Sequence, residues 1–276
     1  MSIVEFAKGH GTENDFVVLF DPDGQFDPTA QQVQQIADRH RGLGADGILR
    51  VVQSVHVPEA DTGAEWFMDY RNSDGSIVEM CGNGVRVFAR YLQERGLAST
   101  AGLDVSTRAG IKYAAFNADG SITVDMGPPE VLGISATTLQ GRRLTGLGVS
   151  MGNPHLAIDL SPAGLELDDL DLSAEPDYDR TFFEAGVNQE FYQDAAPIDG
   201  VDTHLRMRVH ERGVGETRSC GTGICAVAVA ALARTDRREG TVLIDVPGGR
   251  LFTDVNEQRV LLSGPAVIVA RGELIV

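Results

Sequence analysis

The element Cys-Gly-x-Gly occurs twice in this chain, as Cys81-Gly82-Asn83-Gly84 and as Cys220-Gly221-Thr222-Gly223, and the copies stand 139 positions apart in 276 residues. A short motif recurring at half the chain length points to a duplicated unit. The surroundings recur with it. Upstream of Cys81 lie the strand candidates Ile3 to Ala7, Phe16 to Phe20, Ile48 to Val52 and Glu65 to Tyr70, a helix candidate from Thr29 to His40, and the turn Tyr70 to Ser76. Downstream, Val85, Phe88, Ala89 and Leu92 form the i, i+3, i+4, i+7 stripe of a core-facing helix that ends at Gly96. The second copy follows strand-like Leu205 to His210 and the turn Glu211 to Glu216, and opens an Ala-rich helix, Ile224 to Arg234. Strand-like Ile122 to Asp125 runs into Met126-Gly127-Pro128-Pro129, which marks the boundary between halves.

Each cysteine is thereby placed at a helix N-terminus, where N–H groups and the helix dipole favour a thiolate. The glycines let bare backbone N–H groups approach an anion closely. Inverting a carbon stereocentre needs one base on each face, one sulfur as thiolate and the other as thiol. Two duplicated halves meeting about a pseudo-twofold axis would set the two helix starts face to face across a cleft. Cys225, within the Ala/Val helix and without a glycine turn beside it, reads as core filler. A zinc site from Cys220, Cys225 and His210 would have helical spacing and lack a second ligand pair.

Composition narrows the chemistry further. A net charge of −17 and a pI near 4.6 oppose phosphate backbones and anionic membranes, so neither nucleic acid nor membrane is an expected partner. The first residues lack a basic stretch followed by an apolar one, and the longest apolar run, Cys225 to Ala233, is too short to span a bilayer. The expectation is a soluble, cytoplasmic protein with reduced thiols. Only Lys8 and Lys112 could anchor pyridoxal phosphate, and neither setting suggests it, so no cofactor and no metal are expected.

Taken together, Thr12-Glu13-Asn14-Asp15-Phe16, Arg41 to Gly47, Cys81 to Arg86, Met151-Gly152-Asn153-Pro154-His155, Gly186-Val187-Asn188, Glu211 to Gly223 and Gly264-Pro265-Ala266 resemble the diaminopimelate epimerase family over nearly the whole chain. The resemblance implies an α/β (α+β) fold of two pseudo-symmetric halves, each a curved mixed sheet around a central helix, with the active site in the cleft between them. The halves would be residues 1–125, joined by the strand 266–276, and residues 126–265. It implies epimerisation of LL- to meso-diaminopimelate by Cys81 and Cys220, in lysine and peptidoglycan precursor synthesis, by a homodimer. His155 and Glu211 match residues that influence thiol ionisation. Asn14, Asn72, Asn153, Asn188 and Arg212 match side chains that hold substrate, and Glu211 is counted with them. The backbone of Gly82, Asn83, Gly221 and Thr222 would take the reacting carboxylate. An arginine suits the distal carboxylate and amides suit a zwitterion's mixed donors and acceptors.

Two positions depart from the family pattern. Gly47 stands where many members have Gln, so a substrate contact would be lost or replaced, and Ala270 stands where a dimer-contact tyrosine is common. Three rivals remain at this stage: a proline-type racemase, a phenazine-biosynthesis-like isomerase, and a non-catalytic thiol protein acting as redox sensor or zinc carrier.

Overall fold

The computed structural model describes residues 3–275. It falls into two compact units, the first running to Val124 and resuming at Gly264, the second spanning Asp125–Ser263. In the first unit come β1 (Ile3–Gly11), β2 (Asn14–Phe20), α1 (Ala30–Ala37), β3 (Gly47–Gln53), β4 (Trp66–Asn72), α2 (Gly82–Glu94), β5 (Gly102–Thr107), β6 (Gly110–Phe116) and β7 (Ile122–Asp125). The second holds β8 (Glu130–Leu139), β9 (Arg142–Ser150), β10 (Pro154–Asp159), β11 (Asp177–Tyr178), β12 (Asn188–Asp194), β13 (Thr203–Glu211), β14 (Gly215–Thr217), α3 (Gly221–Ala233), β15 (Gly240–Val246), β16 (Gly249–Val255) and β17 (Val260–Gly264). The chain then returns to the first unit as β18 (Val267–Ile275), which pairs antiparallel with β1.

Each unit is one mixed sheet. Its order in the first is β18-β1-β2-β3-β4-β5-β6-β7, parallel only between β2 and β3 and between β4 and β5. In the second it is β8-β9-β10-β12-β13-β15-β16, with parallel pairs at the same places, β10 with β12 and β13 with β15, and β17 beyond β16. α2 touches β18 and β1 through β6, and α3 touches β9, β10, β12, β13, β15 and β16. A straight helix can reach so many strands of one sheet only if the sheet curls round it.

The two helices bury themselves differently. α2 buries the anticipated Val85, Phe88, Ala89 and Leu92, yet also Arg86, whose guanidinium donates to Asn83 Oδ1 (2.8 Å) and the Pro265 carbonyl (3.3 Å). α3 buries every residue from Gly221 to Leu232, so no stripe exists to be read from its sequence. The helix anticipated from Thr29 to His40 is shorter. Thr29 caps it through a reciprocal bond with Gln32, but Asp38 turns extended and its carboxylate accepts the backbone N–H groups of His40 and Arg41 (both 2.8 Å). That side chain offers the backbone an alternative to another helical turn.

The repeat can be followed residue by residue. Phe16 of β2 lies opposite Gly47 of β3, as His155 of β10 lies opposite Asn188 of β12. Asn14, Phe16, Asn72, Cys81, Asn83 and Gly84 thus correspond to Asn153, His155, Glu211, Cys220, Thr222 and Gly223, each 139 positions later. Gly47 and Leu49 correspond to Asn188 and Glu190 at 141, the second crossover being two residues longer.

Candidate active site

Cys81 and Cys220 each occupy the N-cap of a central helix, in extended backbone. Around Cys81, the Gly84 N–H donates to the sulfur (3.4 Å), and the thiol lies 3.8 Å from Asn14 Oδ1. Asn83 donates to the same Asn14 oxygen (3.2 Å), while the Asn14 amide nitrogen donates to Asp46 (2.8 Å). Asp46 therefore fixes which way the Asn14 amide faces. Asn72 is held at the end of β4, accepting from the Tyr70 hydroxyl (2.8 Å) and donating to Ser76 (3.2 Å).

The Tyr70 ring accounts for Gly47. A Cβ at Gly47 would lie 2.7 Å from Tyr70 Cε2 and 2.8 Å from the Arg71 carbonyl, closer than real Cβ contacts come. In this chain the ring takes the space into which a side chain at position 47 would start.

Around Cys220 the partners are ionisable. The sulfur is 3.6 Å from the Thr222 hydroxyl, which accepts a bond from the Asn153 amide (3.4 Å). Asn153 Oδ1 faces His155 Nε2 (3.1 Å), and His155 Nδ1 meets Glu190 Oε1 (2.7 Å), both side chains wholly buried. Glu211 accepts from Thr217 on neighbouring β14. Burial pushes the Cys220 thiol well up from its ordinary value, and the charges of Glu211 and then Glu190 push it the same way, outweighing the bonds from Thr222 and the Gly223 N–H. Burial likewise raises Glu211, against the opposing bonds of Thr217 and Cys220. Two helix-capping cysteines of similar backbone geometry thus sit in chemically different settings. One has amides around it and the other has carboxyls and an imidazole.

The remaining anticipated residues lie beside these. Asn188 is buried and its Oδ1 accepts the Arg212 backbone N–H (2.9 Å). The Arg212 guanidinium is exposed, donates to the Ala185 carbonyl (2.6 Å), and crosses Gly186, where a Cβ would come within 2.5 Å of Arg212 Cδ. Gly82 and Asn83, and likewise Gly221 and Thr222, form the first turns of α2 and α3, where N–H groups have no intrahelical acceptor. Cys225 lies wholly buried within α3. Sequence reasoning missed Glu190, Asp46, Tyr70 and Thr217. A signal for Glu190 exists: laid over its own repeat, it is a carboxylate where the first half has Leu49.

A shared architecture is visible in a solved phenazine biosynthesis protein of the PhzF family from Bacillus anthracis, 18% identical, with a TM-score of 0.71 and all of both chains covered. Sequence likeness sets the chain's class as an isomerase of the racemase and epimerase kind. The family model for diaminopimelate epimerase matches residues 6–132 and 147–271. Curated diaminopimelate epimerases from Thermobifida fusca (50% identical, 98% of each chain) and Rhodococcus jostii (49%, 98% of this chain and 97% of that one) are similar nearly end to end. The chain belongs to the diaminopimelate epimerase family.

Proposed function

We infer that the chain epimerises LL-2,6-diaminopimelate to meso-diaminopimelate, in lysine and peptidoglycan precursor synthesis, with Cys81 and Cys220 as the two bases. The observation that carries this is the pair of cysteine N-caps at matching positions of the two repeats, one among amides and one beside carboxyls. The Gly84 N–H and the first turn of α2 favour negative charge on Cys81. Cys220, buried next to two acids, is favoured as the neutral thiol. Cys81 thiolate takes the α-proton and becomes a thiol, while Cys220 gives its proton to the opposite face and becomes a thiolate. The reverse reaction exchanges the two roles. Charge released into the substrate α-carboxylate meets the N–H groups of Gly82, Asn83, Gly221 and Thr222. Asn14, Asn72, Asn153, Asn188 and Arg212 hold the remaining polar groups, the exposed guanidinium, bound at one nitrogen to the Ala185 carbonyl, taking the distal carboxylate. His155 and Glu211 tune the Cys220 thiol.

Pyridoxal phosphate is not needed in this scheme, and Lys8 suits it poorly. Its ammonium is paired with Asp15 (2.5 Å) and bound to the Gly44 carbonyl, whereas an imine-forming lysine must be a neutral amine. Among the described residues no helix is long and apolar enough to cross a membrane. We assign the protein to the cytoplasm, as a homodimer. Exposed Val267 and Val269 on β18, the end strand of the first unit's sheet, are apolar surface that a partner copy would cover.

The test is turnover of LL-diaminopimelate, proline and trans-4-hydroxyproline side by side in deuterium oxide, read by NMR at the α-carbon. Deuterium entering LL- and meso-diaminopimelate with interconversion is expected. Turnover of proline instead, or no exchange into any of the three, overturns the reading.

A further inference from the structure

The two repeats allow a comparison that one site alone would not. Beneath the first turn of α2 the strands present Phe16 and Leu49, both wholly buried, and Leu49 Cδ2 lies 3.2 Å from where a Cβ on Gly84 would be. At the matching places beneath α3 stand His155 and Glu190, also wholly buried, and Glu190 Oε1 lies 2.5 Å from where a Cβ on Gly223 would be. An aromatic ring and a leucine fill this space in one repeat, so filling it requires no charge. A buried carboxylate carries a desolvation cost that leucine avoids. One of its oxygens, Oε2, is buried and finds no donor among the described residues. Gly223 therefore leaves room for the protein's own carboxylate, in addition to any use it has for an incoming anion.

We propose that Glu190 is a positioning residue for the Cys220 half of the reaction: it holds the His155 ring from beneath α3 and supplies the fixed negative charge that makes the two thiols unequal. The linkage is continuous. Glu190 binds His155 Nδ1, His155 Nε2 meets Asn153, Asn153 donates to Thr222, and the Thr222 hydroxyl meets Cys220. With a carboxylate on Nδ1 and the Asn153 carbonyl on Nε2, the ring cannot turn over without losing a partner. The carboxyl groups acting on Cys220 come from β12 (Glu190) and β13 (Glu211), and His155 of β10 acts in turn on Glu211. Asp245 and Arg250, on the packed strands β15 and β16, are tied to each other, and His210 points to the opposite face of β13 from Glu211. Glu190 differs from Glu211 in touching none of the groups that would meet substrate. It acts through His155 and through its charge.

This inference rests on the epimerase reading, and the experiment separates the two. Wild-type turnover of LL-diaminopimelate establishes the reaction, and Glu190→Gln is then compared with it. The variant keeps the shape and an acceptor for His155 but removes the charge. We expect kcat to fall about tenfold, short of the ~10²–10⁴-fold that a directly acting acid contributes, with KM within about twofold. With a negative neighbour gone, Cys220 loses its proton more readily, so the alkaline limb of the kcat/KM profile moves to lower pH. A second variant, His155→Phe with Glu190→Leu, copies the Phe16 and Leu49 pair of the first repeat. It is expected to keep wild-type circular dichroism while losing epimerisation. An unshifted alkaline limb in Glu190→Gln overturns the proposal. So does wild-type activity in the double variant, or loss of its fold, which would make the pair structural. Failure of the wild type to turn over diaminopimelate would instead remove the reading beneath it.

Discussion

Gly84 and Gly223 hold the same motif position, and replacing each with alanine is expected to have unlike results. A methyl at Gly223 would lie 2.5 Å from Glu190 Oε1 and 3.0 Å from its Cδ and Cγ. The carboxylate would have to retreat by roughly 0.9 Å to reach ordinary contact, which, directed away from His155, stretches the 2.7 Å bond to about 3.6 Å, beyond hydrogen bonding. Losing a charged hydrogen bond costs about 1.5–3 kcal/mol, offset by up to ~1 kcal/mol gained in helix propensity. Gly223→Ala is therefore destabilised by about 0.5–3 kcal/mol, lowering the midpoint of its unfolding by about 1–12 °C. A methyl at Gly84 meets the end of the Leu49 side chain at 3.2 Å, which a few tenths of an ångström relieves, and meets Cys81 Cβ and Sγ at the ordinary contact distances of 3.4 and 3.8 Å. Gly84→Ala should be neutral or slightly stabilised. Differential scanning calorimetry at pH 7 reads both, and the Gly223 variant alone should lose activity through a displaced His155. Equal midpoints, or equal activity losses, would refute the argument that Glu190 occupies the space beneath α3.

Cys81→Ala and Cys220→Ala should each abolish epimerisation yet retain slow α-deuterium exchange into opposite isomers, because the remaining sulfur serves one face; interconversion by either variant would end the two-base scheme. Glu211→Gln should slow turnover by about tenfold or more while raising thermal stability at pH 7. The folded-state pKa of Glu211 is raised by burial, so its cost appears only as pH climbs above the usual carboxylate range, and the gain should vanish near pH 4 in thermal melts. Asp15→Asn should cost about 1.5–3 kcal/mol at pH 7 by urea unfolding. Burial of Asp15 pushes its pKa up, but the bonds from Arg39 and Lys8 prevail and hold it far below the usual range. That stabilisation is present above the unfolded value and is lost as pH falls further, so the variant and wild type should converge in strong acid.

The cysteine N-caps were legible because a helix start is a local event: a turn, a Cys-Gly-x-Gly and an apolar stripe follow one another between Tyr70 and Leu92. The mixed sheets were legible only in part. Strand-like stretches show β1 to β4, β7, β13 and β18, but β5, β6, β8 to β12 and β14 to β17 carry no such signal, and the fully buried α3 shows composition rather than periodicity. Thr29 was read as opening α1, but its end was overshot because the Asp38 carboxylate satisfies backbone N–H groups that a further helical turn would have used. Glu190 escaped notice because its partner lies on another strand, 35 residues earlier, and meets it only through the parallel crossover. Gly47 could be seen as a departure from pattern, but the ring of Tyr70 that fills its place could not.

The pairing of β18 with β1 sets a timetable for synthesis. Ile3 lies opposite Ile275, so the sheet begun by β1 lacks its end strand until the intervening unit has been made. At ~5–20 residues per second, the stretch from Asp125 to Ser263 takes roughly 7–28 s. During that interval β1 shows an unpaired edge, and Arg86 of α2 waits for the Pro265 carbonyl. The second unit, contiguous in the chain, can close first. The unit that starts earliest is the one completed last, and its edge is the part of the nascent chain that a chaperone would have most reason to cover.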